Sequence, residues 1–170
     1  MPYSNTVKSV LSATVLGFLA LGLASTSAVA QANPATTTFG VSATVLKDCI
    51  VSATAMSFGN YTGAVNNVTS TVTVTCTNTT TYTIGLDKGT TTGGSASNPR
   101  LMAGPSGATL AYGLYQNGTW TTNWGNVTGS WVSGTGNGAA QPLTVYGQIA
   151  AGLYVTPGSY TDTITATVTY

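Results

Sequence analysis

The sequence predicts an all-β sandwich. Threonine, glycine, valine, alanine and asparagine dominate it, residues that favour strands and turns over helices. Its last stretch, Tyr160 to Tyr170, alternates strictly: Tyr160, Ile164, Ala166, Val168 and Tyr170 share one face, and threonines line the other. Between residue 38 and that stretch, short β-prone runs are separated by Gly, Asn and Pro turn signals, and no helix of useful length follows residue 30.

Composition also limits chemistry. The chain has no histidine; its acids are Asp48, Asp87 and Asp162, and its bases are Lys8, Lys47, Lys88 and Arg100. So few scattered cations cannot track a phosphate backbone, which excludes nucleic acid as a natural partner. Acid–base or nucleophilic catalysis needs a base beside a nucleophile, or paired carboxylates, and neither pattern is present; an enzyme is not expected. Without histidine or a cysteine cluster, no metal or other cofactor is expected either.

Residues 1–30 read as a secretory signal. Lys8 supplies the positive start and Val10 to Leu23 the apolar core. Ala28-Val29-Ala30 is a small-residue cleavage site, with Ala32 as an alternative end. The apolar run falls short of the ~20 residues of a membrane span and is diluted by Ser, Thr and Gly. No span is therefore expected after cleavage. The nearly neutral remainder is exported, into an environment that permits disulfides.

After Gln31-Ala32-Asn33-Pro34 comes a second alternating stretch. Phe39, Val41, Ala43 and Val45 fall on one face; Thr38, Gly40, Ser42 and Thr44 fall on the other. It is either the first strand of the chain's own sheet or a detachable strand that fills a neighbour's groove. Cys49 and Cys76, the two cysteines, are expected to pair and to pin the start of one strand (Cys49-Ile50-Val51) to the end of the next (Thr71 to Cys76). Closing that loop would stabilise the fold by roughly 3–4 kcal/mol.

Further strands are expected at Tyr82–Leu86, Leu101-Met102, Leu110–Tyr115 and Leu143–Ile149. Asn117-Gly118 is a hairpin turn signal, residues 133–140 a Gly-rich loop, and Pro157-Gly158 the turn into the terminal strand. Asp162 falls on the apolar face of that strand, and a place at its exposed end, hydrogen-bonded to a turn, suits it better than catalysis. Trp120, Trp124 and Trp131, with Tyr112 and Tyr115, are candidates for a sugar-binding platform, although such residues more often belong to the core. If the terminal strand lies at a sheet edge, its free N–H and C=O groups call for a partner from another chain.

Taken in order, Cys49-x-Val51, Phe58-Gly59-x-Tyr61, Thr73-Val74-Thr75-Cys76, Tyr82-x-Ile84-x-Leu86, Arg100-x-Met102, Leu110-x-Tyr112-x-Leu114-Tyr115, Trp124-Gly125, Val145-Tyr146-Gly147-x-Ile149 and Pro157-Gly158-x-Tyr160-x-Asp162 resemble the spore coat protein U domain family, over about residues 39–170. That family includes the pilins of archaic, Csu-type chaperone–usher pili. The resemblance implies an incomplete immunoglobulin-like sandwich lacking its last strand and completed by donor-strand complementation. A periplasmic chaperone lends the strand first; at the outer-membrane usher, the amino-terminal segment of another subunit replaces it.

On this reading residues 31–46 are the donor extension, with Phe39, Val41, Ala43 and Val45 as donor side chains, and residues 47–170 are the sandwich. Tyr160, Ile164, Ala166, Val168 and Tyr170 border the acceptor groove and meet the chaperone. The implied role is a structural subunit of a surface pilus, a homopolymer used in adhesion and biofilm formation by a Gram-negative bacterium. A carbohydrate-binding adhesin and a non-polymeric spore or cell coat protein are the alternatives.

Overall fold

A computed structural model describes residues 33–170, so the expected leader, residues 1–30, lies outside the described residues. The chain divides into two units, Met1–Ser42 and Ala43–Tyr170. Of the first, residues 33–42 are exposed and belong to no strand. The alternating stretch at 38–45 is thus not the first strand of this chain's own sheet.

The second unit is a two-sheet sandwich. Its strands are β1 (Cys49–Ala53), β2 (Asn66–Cys76), β3 (Thr81–Leu86), β4 (Arg100–Ala103), β5 (Thr109–Tyr115), β6 (Val132–Thr135), β7 (Ala140–Ile149) and β8 (Ala166–Thr169). One sheet has the order β1-β2-β7-β5-β4 and the other β6-β3-β8, all pairs antiparallel. The single helical turn among the described residues is a 3-10 turn at Pro105–Gly107.

Period-2 patterning builds the core. Val72, Val74 and Cys76 of β2 point inward, while Thr71, Thr73 and Thr75 point out. Ile84, Leu86, Leu110, Leu114, Val145 and Ile149 complete the apolar interior with Tyr82 and Trp124. Trp124 is buried, and its indole N–H donates to the Ile84 carbonyl at 3.0 Å. The expected disulfide is present: Cys49 and Cys76 are register partners with Cα atoms 4.1 Å apart.

Several local expectations are corrected. β6 runs into the stretch 133–140 expected to be a loop, and β7 begins at Ala140 rather than Leu143. Gly134 permits this, because a Cβ there would meet the Tyr82 ring at about 2.5 Å. At Asn117-Gly118 a turn does form, but the positive φ falls on Trp120 (53°). The Asn117 side chain holds the loop by accepting the Thr121 and Thr122 amides at 3.1 and 3.3 Å. The terminal strand is shorter than its alternation suggests. Thr161 bridges Ala103 of β4, residues 162–165 cross between sheets, and the ladder with β3 covers Ala166–Thr169 alone.

Candidate functional site

The sandwich is uncovered along one side. β1 and β8 are both edge strands, and between them and their flanking segments lies a groove of about 530 Å³. Its floor is the inner face of the larger sheet, with Val72, Met102, Leu114 and Val145, joined by Leu86 of β3. One wall is the segment after β1, Ala53 to Met56 with Phe58; the other is the crossing segment, Tyr160 to Ile164, with Ala166. The floor side chains belong to the buried core itself, so the base of the groove is the hydrophobic interior of the sandwich.

Both walls are firmly held. Thr54 extends the β1 edge by donating its amide to the Thr71 carbonyl at 2.9 Å, and its hydroxyl accepts the Thr71 amide at 3.0 Å. Phe58 packs edge-on against Tyr112, with ring centroids 6.0 Å apart. Opposite, the Tyr160 hydroxyl donates to the Thr156 carbonyl at 2.6 Å. Thr165 donates its amide to the Asp87 carboxylate at 2.9 Å.

Besides Thr54, Ser70 and Thr161, a hydrogen-bonded polar pair interrupts the apolar lining. The Tyr112 hydroxyl donates to Asp162 Oδ2 at 2.6 Å, while Oδ1 accepts the Thr90 amide at 2.9 Å and the Thr90 hydroxyl at 3.1 Å. Burial opposes the Asp162 charge, but the hydrogen bonds from Tyr112, Thr90 and Thr163 outweigh it and hold the carboxyl below its ordinary range. Burial first, and the Asp162 carboxylate second, push the Tyr112 phenol far above its usual value. Tyr112 therefore stays a neutral donor. As expected, Asp162 bonds a turn, the one after β3, but it is half-buried rather than exposed.

Of the residues assigned to the acceptor strand, Tyr160, Ile164 and Ala166 line the groove. Val168 does not line it; it pairs with Ile84 and packs on the core. Tyr170 lies beyond the strand, half exposed, and its hydroxyl donates to Asp48 Oδ1 at 3.3 Å. There β1 and β8 approach each other and close one end of the groove. The other end opens past Ala53, Thr54, Ala55 and Thr161, all exposed.

Of the residues assigned to the donor, Phe39, Val41 and Val45 are 85–86 % exposed, and Ala43 is exposed as well. Sequence reasoning missed the wall at 53–58. Its signal was the pair Met56 and Phe58 at strand spacing, two apolar residues in a segment too rich in turns to be read as strand. The aromatics do not assemble into one platform. Trp124 and Tyr112 are buried, and Tyr115 lies on the outer face, its ring covering Gly113.

The Spore Coat Protein U domain family matches residues 35–167. Protein U of Myxococcus xanthus is 32 % identical over 157 residues, covering 83 % of this chain and 88 % of that one. Among solved structures, the fold resembles a chain in the pre-assembly complex of chaperone and tip adhesion subunit from archaic chaperone-usher Csu pili of Acinetobacter baumannii. There the TM-score is 0.58 at 22 % identity, over 75 % of this chain but 41 % of that one. The all-β sandwich, its cysteine-tied first strands and a match over most of its length make this chain a member of the Spore Coat Protein U domain family.

Proposed function

We propose that this chain is a structural subunit of a surface pilus, built by a chaperone–usher pathway through donor-strand exchange. The observation that carries the reading is the apolar groove beside an edge strand, in a chain that also bears an exposed alternating segment of matching length. Phe39 to Val45 and Tyr160 to Ala166 each span six residue steps, about 20 Å at ~3.3 Å per residue. Residues 1–30 direct export and are removed, residues 31–46 are the donor, and residues 47–170 form the body that accepts.

A periplasmic chaperone covers the groove first. At the outer-membrane usher the Phe39, Val41, Ala43 and Val45 side chains of another copy replace it, and the homopolymer serves adhesion and biofilm formation on a Gram-negative cell. The solved pre-assembly complex supports the chaperone step, since there a subunit is paired with its chaperone. The site's polar groups argue against catalysis: the Asp162 carboxylate is engaged by five donor groups, those of Tyr112, Thr90 and Thr91. The family's description as Spore Coat Protein U, with the identity to Protein U, favours a second reading, a coat protein completed in the same way without a pilus. Adjacent genes for a chaperone and an usher separate the two.

The groove fixes the test. A carboxylate at position 41 would be buried unpaired in an apolar floor, at a cost of several kcal/mol. The same group at position 42 would face solvent. Val41→Asp should abolish surface fibres in electron micrographs, and Ser42→Asp should leave them. Equal assembly of both variants would overturn the donor register.

A further inference from the structure

We infer that the joint between successive copies contains a second contact, in which Leu46 of the incoming copy seats on Tyr154 at the groove mouth. The inference rests on the donor-strand reading. With Phe39, Val41, Ala43 and Val45 facing the groove, the opposite face of the donor reads Thr38, Gly40, Ser42, Thr44 and then Leu46. Leu46 is the one large apolar residue on a face otherwise small and polar, and it is 77 % exposed. Nothing in donor insertion itself covers it.

The geometry says where it goes. The groove is closed where Tyr170 meets Asp48 and open past Ala55 and Thr161, so the body of the incoming copy, which begins at Cys49, must stand at the open end. Its residue 46, three positions before that body, lies at the mouth. Next to Thr161 at this end, the Tyr160 wall is tied to the loop after β7, whose Thr156 carbonyl accepts the Tyr160 hydroxyl.

Two residues from Thr156, Tyr154 is 88 % exposed, the most exposed large hydrophobic residue of the described chain. It is not on a loose tip. The Gly152 amide donates to the Gly63 carbonyl at 2.9 Å, the Tyr61 hydroxyl donates to the Ala150 carbonyl at 2.6 Å, and the Leu153 amide donates to the Tyr61 hydroxyl at 3.1 Å. The Tyr154 ring lies over Gly63, where a Cβ would come within 3.0 Å of it. Val65, two residues on, is 54 % exposed. A rigid, uncovered aromatic beside a second apolar residue has the character of an interface anchor, because little conformational freedom is lost when it is covered. The contact would restrain the angle between copies, which the donor strand alone leaves free.

The test is proximity. Full-length chains carrying Leu46→Cys and Tyr154→Cys together are expressed with the pilus machinery, oxidised mildly or treated with a short bismaleimide, and run on a denaturing gel. A ladder of covalent multimers is expected from the pair and none from either single variant. None is expected from Leu46→Cys with Thr69→Cys, whose second site lies on the outer face of the larger sheet. Fibres that form normally yet give no ladder with either reagent overturn the contact, as does an equal ladder from the control pair. Val41→Asp is examined alongside: if it still forms fibres, the donor reading itself falls, an outcome separable from loss of the contact alone.

Discussion

Arg100 illustrates how a buried charge is kept in a chain nearly without charges. It is fully buried, and its guanidinium donates to the carbonyls of Asp87, Leu86 and Trp124 at 2.7, 3.0 and 2.8 Å, and to Asn98 Oδ1 at 2.8 Å. Burial lowers its pKa, yet the fork geometry satisfies the group and ties the end of β3 to two loops. Lysine, with one compact ammonium, cannot reach four acceptors spread this way. Arg100→Lys should therefore cost several kcal/mol in chemical denaturation, because acceptors and a charge are left buried and unmet.

At the groove, Tyr112→Phe removes one hydrogen bond to a carboxylate, worth about 1.5–3 kcal/mol. The same pair sets an acid limit. Asp162 has a depressed pKa in the folded protein, so its stabilising contribution is present above the unfolded carboxylate value of about 3.9 and is lost as pH falls through the lower folded value. Asp162→Asn should lower stability at neutral pH and flatten the decline below pH ~4. An unchanged acid limb in thermal melts would show that Asp162 is not its source.

Among elements, the terminal segment matters most. It begins as a bridge to β4, crosses over the open floor, and joins β3 at Ala166. Crossing leaves a space along its flank that a regular second ladder would have filled. Ala166 lines that space with a small side chain, and a large one would fill part of the volume that the proposed donor strand needs. Ala166→Phe should therefore yield a subunit that donates but does not accept. Co-expressed with the wild type, it should shorten fibres in micrographs in proportion to its share, and fibres of ordinary length would count against the acceptor role. The disulfide works at the same scale by anchoring the edge strand β1: Cys49→Ser should cost roughly 3–4 kcal/mol and sharply reduce periplasmic yield.

For the molecule as a whole, the proposed donor-strand exchange has the open side of the sandwich covered by another chain. A truncated chain beginning at Lys47, without a chaperone, should aggregate or melt early. Adding a synthetic peptide of residues 35–46 should raise its Tm, by the equivalent of about 2.7 kcal/mol at one hundred times the peptide's Kd. A thermally stable, monodisperse monomer of that truncated chain, indifferent to the peptide, would contradict the reading. Charge plays little part in this assembly, since the face presented for burial is apolar and the groove's single carboxylate is internally satisfied.

What the sequence by itself determined is local and periodic. Alternation assigned Val72, Val74 and Cys76 to the interior and their threonine neighbours to solvent, because the pleat allows no other arrangement. It also placed Tyr160, Ile164 and Ala166 on one face, set Phe39 to Val45 on one face of a second alternating stretch, and offered the two cysteines as each other's partners. Only the tertiary structure decided what stands opposite each face. Gly134 becomes strand because β3 offers a ladder and the Tyr82 ring needs its space; Arg100 enters the core because three carbonyls converge there; Met56 and Phe58 become a groove wall because their segment turns inward past the edge of β2. Val168 and Tyr170 share the alternation of Ile164 yet leave the groove, because β8 by then has met β3 and approached β1. Periodicity fixes which side a residue faces; the partner across the gap depends on contacts far apart in the chain, and these are settled only when the sheets pack.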